Sequence, residues 1–477
     1  MALATFLADA RGGLAAWFGA ARARTLAADA DALRAALDRD IAAIDALITA
    51  GLDAVLHHPR LRRLEGSWRG LHWLAEGLDP SSRVKLRLLN AGWGEIVRDL
   101  ERAAEFDQSH LFRRVYEDEF GTPGGEPYGL LVVDHEIRHR PAAGHPSDDV
   151  GALKLLAGVA AAAFTPTVIG ASPALLEVDG FAELASVADP ASPLRNAEYA
   201  RWRALAGLED ARFLGVVLPH VLARPPRGDD PARGEPFLYR EYAPRAQDRV
   251  WMNAGYAFAH TVTRAFAQYA WPGDVRGVES DQRAGGLVDA LPSEPLSTER
   301  LPFWPRPPLD VVLTDRQERA LVEAGLMPLS SIPYGNDAVF GAVRSLQVAP
   351  RYQGQNAAAA SANARLSTQL NTMLCVGRFA HYIKVMGRDM VGALLTADEV
   401  ERRLQAWLTL YTNSNTSGGP EMRSRYPLLE GRVSVRERAG KPGTYTCVVH
   451  LQPHFQLDDV SATFRLATEI AAPGAAR

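Results

Sequence analysis

Cysteine is nearly missing from this 477-residue chain: only Cys375 and Cys447 occur, in apolar surroundings and without a C-x-x-C spacing. That argues against a disulfide framework and a thiolate zinc site, and makes a reducing cytoplasm the expected setting. A charge excess is missing too. With 52 basic and 56 acidic residues the formal charge is −4, so no global field draws the chain to nucleic acid or an anionic membrane. Partners must then be recognised locally. No run of 18 apolar residues occurs, and no apolar core leading to a cleavage site opens the sequence, so neither a membrane span nor an export signal is expected. Asn415-Thr416-Ser417 fits a glycosylation sequon, but without a secretory route it reads as part of the polar loop "NSNTSGG" (413–419). No phosphate-cradling glycine fingerprint follows a strand. "GTPGGEP" (121–127) lacks the Lys-Ser/Thr ending and precedes a strand where a phosphate loop would follow one, so it reads as a turn and no cofactor is expected. No Ser-His-Asp or Cys-His arrangement assembles from local spacing, and no catalytic residue is assigned.

What is present is apolar material, 47% of the chain, enough for two or three packed units. Residues 28–57 place Leu33, Leu37, Ile41, Ile44, Leu47 and Ile48 at three- and four-residue steps, which predicts an amphipathic helix pair whose stripe needs a cover. "LEGSWRGLHWL" (64–74) continues helically. Strand and helix then alternate: "VKLRLLN" (84–90) and "GLLVVD" (129–134) as strands, 94–106 and 147–164 as helices, "TVIGAS" (167–172) and "RFLGVVLP" (212–219) as buried strands. Ser147 is the expected N-cap of the second helix. Such alternation predicts an α/β fold with parallel pairing and flanking helices. Two proline-rich crossings (224–236 and 291–310, the latter packed through Phe303 and Trp304) surround a helix predicted over 248–271. Helices are predicted over 314–325, opened by Thr314 or Asp315 and closed by Gly325, and over 363–392. The tail alternates in steps of two: 430–456 forms a hairpin turning at Lys441-Pro442-Gly443, and 460–470 a third strand.

One short motif points to a different chemistry. His135-Glu136-Ile137-Arg138-His139 fits the H-E-x-x-H pattern of zinc peptidases, with His145 near the place of a third ligand. That chemistry needs both histidines on one helical face. The run Leu130–Val133 is strand-like, and Pro141 lacks the N–H that would bond the Ile137 carbonyl. The preferred reading is a strand ending at Asp134 followed by a solvated loop, with no metal. His450 and His454, near no carboxylate cluster, read as packing or surface histidines.

Several long segments carry a stronger signal: "IDALITAGLDAVLHHPRLRRLEGSWRGLHWL", "FLYREY", "WMNAGYAFAHTVTRAFAQYAW", "SLQVAPRY", "NARLSTQLNTMLCVGRFAHYIKVMGRDMVG", and "YPLLEGRVSV" through "GKPGTY" to "LQPHFQLDDVSATFRLATEI". In order, over roughly residues 42–470, they resemble the large sheath subunit of bacterial type VI secretion systems (the TssC, VipB or ImpC family). The resemblance implies a contractile tail-sheath-like fold of mixed sheets with flanking helices, N-terminal helices and a C-terminal region of β-strand exchange. It also implies the partners. These are a small sheath subunit (TssB or VipA-like), further copies of the chain in hexameric rings, an inner tube of Hcp-like protein, a baseplate, and an AAA+ ATPase of the ClpV kind that dismantles the contracted sheath. No ATPase-recognition element is assigned to this chain. Alternatives are the zinc peptidase and a non-contractile tail or baseplate component of the same fold.

Four regions are expected: 1–60, helical, docking the small subunit through Leu37, Ile41, Ile44 and Ile48; 61–225, an α/β sheath domain; 226–362, a second sheath domain with the proline-rich crossings; and 363–477, a helix and inter-protomer strands carrying Val433, Val435, Tyr445, Cys447 and Val449. Exposed strand edges are either blocked or shared, and sharing with a neighbour head-to-tail propagates as rings or tubes.

Overall fold

The structure, a computed structural model, describes residues 10–122, 124–228, 237, 239–278, 283–295, 305–333, 335–349, 353, 361, 364–390, 396–415, 418–438, 445–454 and 464–470. Pro123, most of the first proline-rich loop, residues 296–304 of the second crossing with Phe303 and Trp304, Thr416 and Ser417 of the sequon, and the Lys441-Pro442-Gly443 turn lie outside the described residues. The chain divides into two units, residues 1–62 with 226–249, and residues 63–225 with 250–477.

The first unit is built on helices α1 (Ala10–Phe18), α2 (Ala20–Ala27) and α3 (Ala30–Leu56). Asp29 caps α3, accepting from the N–H groups of Asp31 and Ala32. The predicted helix pair is one continuous helix of 27 residues. A lone Gly51 costs only about 1 kcal/mol relative to alanine and does not break a helix flanked by good formers. The interruption comes instead at His57 and His58, ahead of α4 (Pro59–Glu76), where proline occupies the first helical position. Within this unit the Trp17 indole donates to Asp40 (2.7 Å), Tyr239 donates to Asp53 (2.5 Å), and buried Glu241 accepts from the Arg227 N–H (2.9 Å) and faces His57 at 3.3 Å.

In the second unit α4 lies against backbone. A Cβ at Gly66 would run into the Trp251 carbonyl and one at Gly70 into the Tyr256 ring, so both glycines permit close approach. Glu65 accepts from Arg224 (2.7 and 3.2 Å) and from Arg69 (2.7 Å). Burial opposes its charge, but these guanidiniums outweigh it and hold the carboxyl below its ordinary range. Next come α5 (Trp93–Arg102), β1 (Leu131–Ile137), α6 (Asp149–Ala162), β2 (Thr167–Ala171), β3 (Leu214–Leu218), β4 (Val221–Arg224), β5 (Val250–Met252), α7 (Ala254–Tyr269), α8 (Asp315–Glu323) and β6 (Met327–Pro328). Strands β1, β2, β3 and β6 form, in that order, a wholly parallel sheet. Its two faces enter different cores: Ile169, Val216 and Leu218 pack with Leu153 and Leu156 of α6, while Val168 and Val217 pack with Ala257 and Phe258 of α7. Burial on both faces is why these strands read as continuous apolar runs.

Four local expectations are corrected. Residues 84–90 join no ladder among the described residues; their alternation of Leu with Lys and Arg resembles a strand, but pairing is a property of neighbours. Strand β1 does not stop at Asp134: a bulge between Val133 and Glu136 carries it to Ile137. The helix predicted from 248 begins at Ala254, because Val250–Met252 pairs with β4 and Asn253 caps α7 by accepting from the Gly255 N–H. Asp148, not Ser147, caps α6, accepting from the Gly151 N–H, while the Ser147 hydroxyl donates to Asp149. Thr314 opens α8 with a capping box to Gln317, and Gly325 follows it at φ 83°.

The chain ends in α9 (Leu370–Met390), α10 (Ala397–Thr409) and an antiparallel sheet of β7 (Leu428–Glu437), β8 (Tyr445–Pro453) and β9 (Phe464–Ile470), with β8 central. Phe379 and Ile383 of α9, Val400, Leu404 and Leu408 of α10, and the inner faces of β7 and β8 share a third core, in which Trp271 stacks on Phe379 at 4.1 Å.

Candidate assembly surfaces

Because β1 runs through the H-E-x-x-H segment, its histidines do not share a helical face. His135 stacks on Trp93 (4.6 Å) and its Nε2 faces Asp149 at 3.5 Å; Asp149 also accepts from the Trp93 indole (2.8 Å) and the Arg138 N–H (2.9 Å). His139 stacks on buried Tyr199 (4.0 Å), and His145 exchanges backbone hydrogen bonds with Ala142. The strand runs three residues further than expected, with a partly buried, cross-tied end, and the solvated loop follows it at residues 140–144. Glu136 contacts His220 Nε2 at 3.0 Å, and Asp310 contacts Nδ1 at 2.8 Å. Burial opposes charge on His220, yet the two carboxylates outweigh it and hold its pKa well above the ordinary value. Burial raises the Asp310 carboxyl above its ordinary range even though His220 opposes this, and the hydrogen-bonded triple ties β1 to His220, just after cis Leu218-Pro219, and to the strap at Asp310. Among the described residues, no group of three or more histidine, cysteine or acidic side chains is placed to hold a metal ion.

The N-terminal stripe is where the sequence placed it. On α3, Leu37, Ile41, Ile44 and Ile48 are 37%, 53%, 37% and 43% exposed, and Leu47, Leu52 and Val55 accompany them. Their four-three-four spacing keeps the first four on one face. Only Ala36 of this helix is buried. Within the first unit, among the described residues, these side chains stay exposed.

The C-terminal candidates are placed differently. Val433, Val435, Cys447 and Val449 are buried in the third core, and Tyr445 is half-buried at its margin. Burial, with a smaller contribution from Glu401, pushes the Cys447 thiol up to about 11, so it packs as an inert apolar group. The outer edge of β7 is closed from within. Gln405 of α10 accepts from the Val433 N–H (2.8 Å) and donates to the Gly431 carbonyl (3.0 Å), and Glu401 accepts from the Val435 N–H (2.8 Å). Two side chains thus stand in for a strand. On its other side β7 pairs with β8 from Leu428↔Pro453 to Glu437↔Tyr445, and β8 pairs with β9 from Tyr445↔Ile470 to Leu451↔Phe464. Between β8 and β9 the chain runs through residues 455–463, outside the described residues.

Helix α10 was missed at the sequence level, although its signal is plain: Thr396 and Glu399 form a capping box, and Val400, Leu404 and Leu408 recur every fourth residue. That pattern locates the helix. It does not reveal that the polar Glu401 and Gln405 meet a strand edge.

Two family models match in sequence: the VipB (EvpB) tail sheath N-terminal domain over residues 38–347, and the VipB tail sheath gpW/gp25-like domain over residues 359–470. The type VI secretion system sheath protein TssC1 of Pseudomonas aeruginosa is 34% identical over 445 residues, covering 92% of this chain and 86% of that protein. Among solved structures, the sheath tail protein Lin1278 of Listeria innocua overlays with a TM-score of 0.29 at 10% identity, over 67% of this chain and 59% of that one. An overlay so loose carries no argument.

Proposed function

Since this chain belongs to the VipB (TssC) tail-sheath family, we propose that it acts as the large, non-enzymatic subunit of a contractile type VI secretion sheath. It pairs with a small sheath subunit through the stripe Leu37, Ile41, Ile44 and Ile48, since an apolar face of this length on a helix is stable in water only when covered. Copies of the pair then polymerise as hexameric rings around an inner Hcp-like tube, in the cytoplasm, on a membrane-anchored baseplate. Contraction expels the tube, and a ClpV-like ATPase recycles the sheath.

The observation that carries the polymerisation step is the order of the terminal sheet. Strand β7 has its free edge closed by α10, and β8 is held in the middle, so β9, at the other margin of the sheet, is the strand that can be traded with a neighbour. Val433, Val435, Tyr445, Cys447 and Val449 then shape the recipient sheet while its backbone gives the pairing. An exchange of this kind is heterologous, and it propagates until a ring closes or a helix forms. Tethered neighbours can rotate between two packings, which supplies contraction without nucleotide bound here.

Coexpression of the full chain with its small subunit is expected to give hollow cylinders in negative stain. Removing residues 455–477 is expected to leave the one-to-one pair and abolish cylinders. Cylinders that persist without β9 would refute strand exchange. A pair that stays monomeric and mutually indifferent would refute the sheath reading itself.

A further inference from the structure

Residues 83–90 between α4 and α5 are a strand without a ladder. The segment is fastened at both ends: Asp79 accepts from the Ser81 N–H (2.8 Å) where the chain leaves α4, and Glu95 accepts from the Gly92 N–H (2.7 Å) in the cap of α5. It is fastened along one side as well. Lys85 Nζ lies 2.6 Å from Glu126, Arg87 Nη2 lies 3.7 Å from the same carboxylate, and Arg87 also bonds Glu119 and sits over the Tyr128 ring at 5.5 Å. Two side chains two residues apart reaching one carboxylate is the same-side spacing of an extended chain. The alternate side is apolar and outward: Leu86 and Leu88 are 45% and 62% exposed, with Leu89 beside them at 59%. Among the described residues, no backbone N–H or C=O from Arg83 to Leu88 has a hydrogen-bond partner.

A pinned, extended, apolar segment with bare backbone has the chemistry of a strand template, and left open it is a site for aggregation. Fixing it in advance removes much of the ordering cost of pairing. We propose that residues 83–90 are completed by an apolar β-strand of the small sheath subunit, in the one-to-one building block and before any polymer forms. This rests on the sheath reading above. The choice of occupant follows from timing and charge. A hazard present on every free chain has to be covered by the partner met before polymerisation, and Arg83, left over once Glu126 and Glu119 have paired Lys85 and Arg87, favours an incoming strand that lacks cations.

Hydrogen exchange read by mass spectrometry on the full chain, alone and in the purified one-to-one complex with the small sheath subunit, tests this. Pairing along one edge is expected to slow about half of the amides in peptides spanning 83–90 by tenfold or more. The double variant Leu86→Asp with Leu88→Asp is expected to lower recovery of the complex about tenfold while the lone chain melts as before. Free exchange of 83–90 within a complex that does form would overturn the template and leave the sheath reading intact. Protection that arises only in cylinders would assign the site to a second copy of this chain and overturn the proposal. Failure of any complex to form would overturn both.

Discussion

His381 is buried in α9 with Nε2 donating to the Ala163 carbonyl at 2.9 Å. Burial lowers its pKa to about 3, with Arg378 and Lys384 adding to the effect against the carbonyl. The unfolded chain therefore takes up a proton near pH 6.5 that the folded chain refuses until about pH 3. Stability should fall with decreasing pH across that window, by up to about 1.4 kcal/mol per pH unit from this site. His381→Gln keeps a donor for the carbonyl and cannot titrate, so its urea midpoint should depend less on pH between 6.5 and 4. His220 behaves in the opposite sense, since Glu136 and Asp310 stabilise its charged form. Replacing it with leucine leaves Asp310 buried without its counterion, with an expected loss of about 3 kcal/mol in urea unfolding. In the sequence these histidines were legible only as residue types. The H-E-x-x-H spacing drew attention to His135 and His139, whereas His220 is 84 residues from Glu136 and 90 from Asp310, beyond any local pattern.

At the scale of elements, the device that decides how the terminal sheet can assemble is the pairing of α10 with the edge of β7. Gln405→Ala removes the acceptor from the Val433 N–H and the donor from the Gly431 carbonyl, and should cost about 1 to 3 kcal/mol in urea unfolding. It should also open the edge, so light scattering of the lone chain is expected to rise with time. Periodicity foretold most elements themselves, because apolar spacing follows from which face is buried, and the parallel sheet, α8 and the β7–β8–β9 meander follow their patterns. It erred where two structures compete for the same apolar letters. "VWM" at 250–252 reads equally well as the first turn of α7 or as a strand against β4, and the nearby Asn253 cap decides only once β4 is present. The segment 83–90 is the reverse case, a strand pattern with no partner within the described chain.

For the whole molecule the expectation concerns partners. Ile41→Asp with Ile48→Asp alters side chains that are already in water, so the lone chain should unfold within about 0.5 kcal/mol of wild type, while copurification of the small subunit should be lost. The sequence by itself determined the family, the α/β alternation and the apolar stripe on α3, because long ordered matches and helical spacing are written in consecutive residues. Only the tertiary structure decided that Val433, Val435, Cys447 and Val449 are core side chains and that α10 seals one edge of their sheet. Alternation in a strand tells which residues share a face, but not what lies over that face or beside its backbone. Those are contacts between segments far apart in the chain, settled when distant elements pack and satisfy one another's hydrogen bonds.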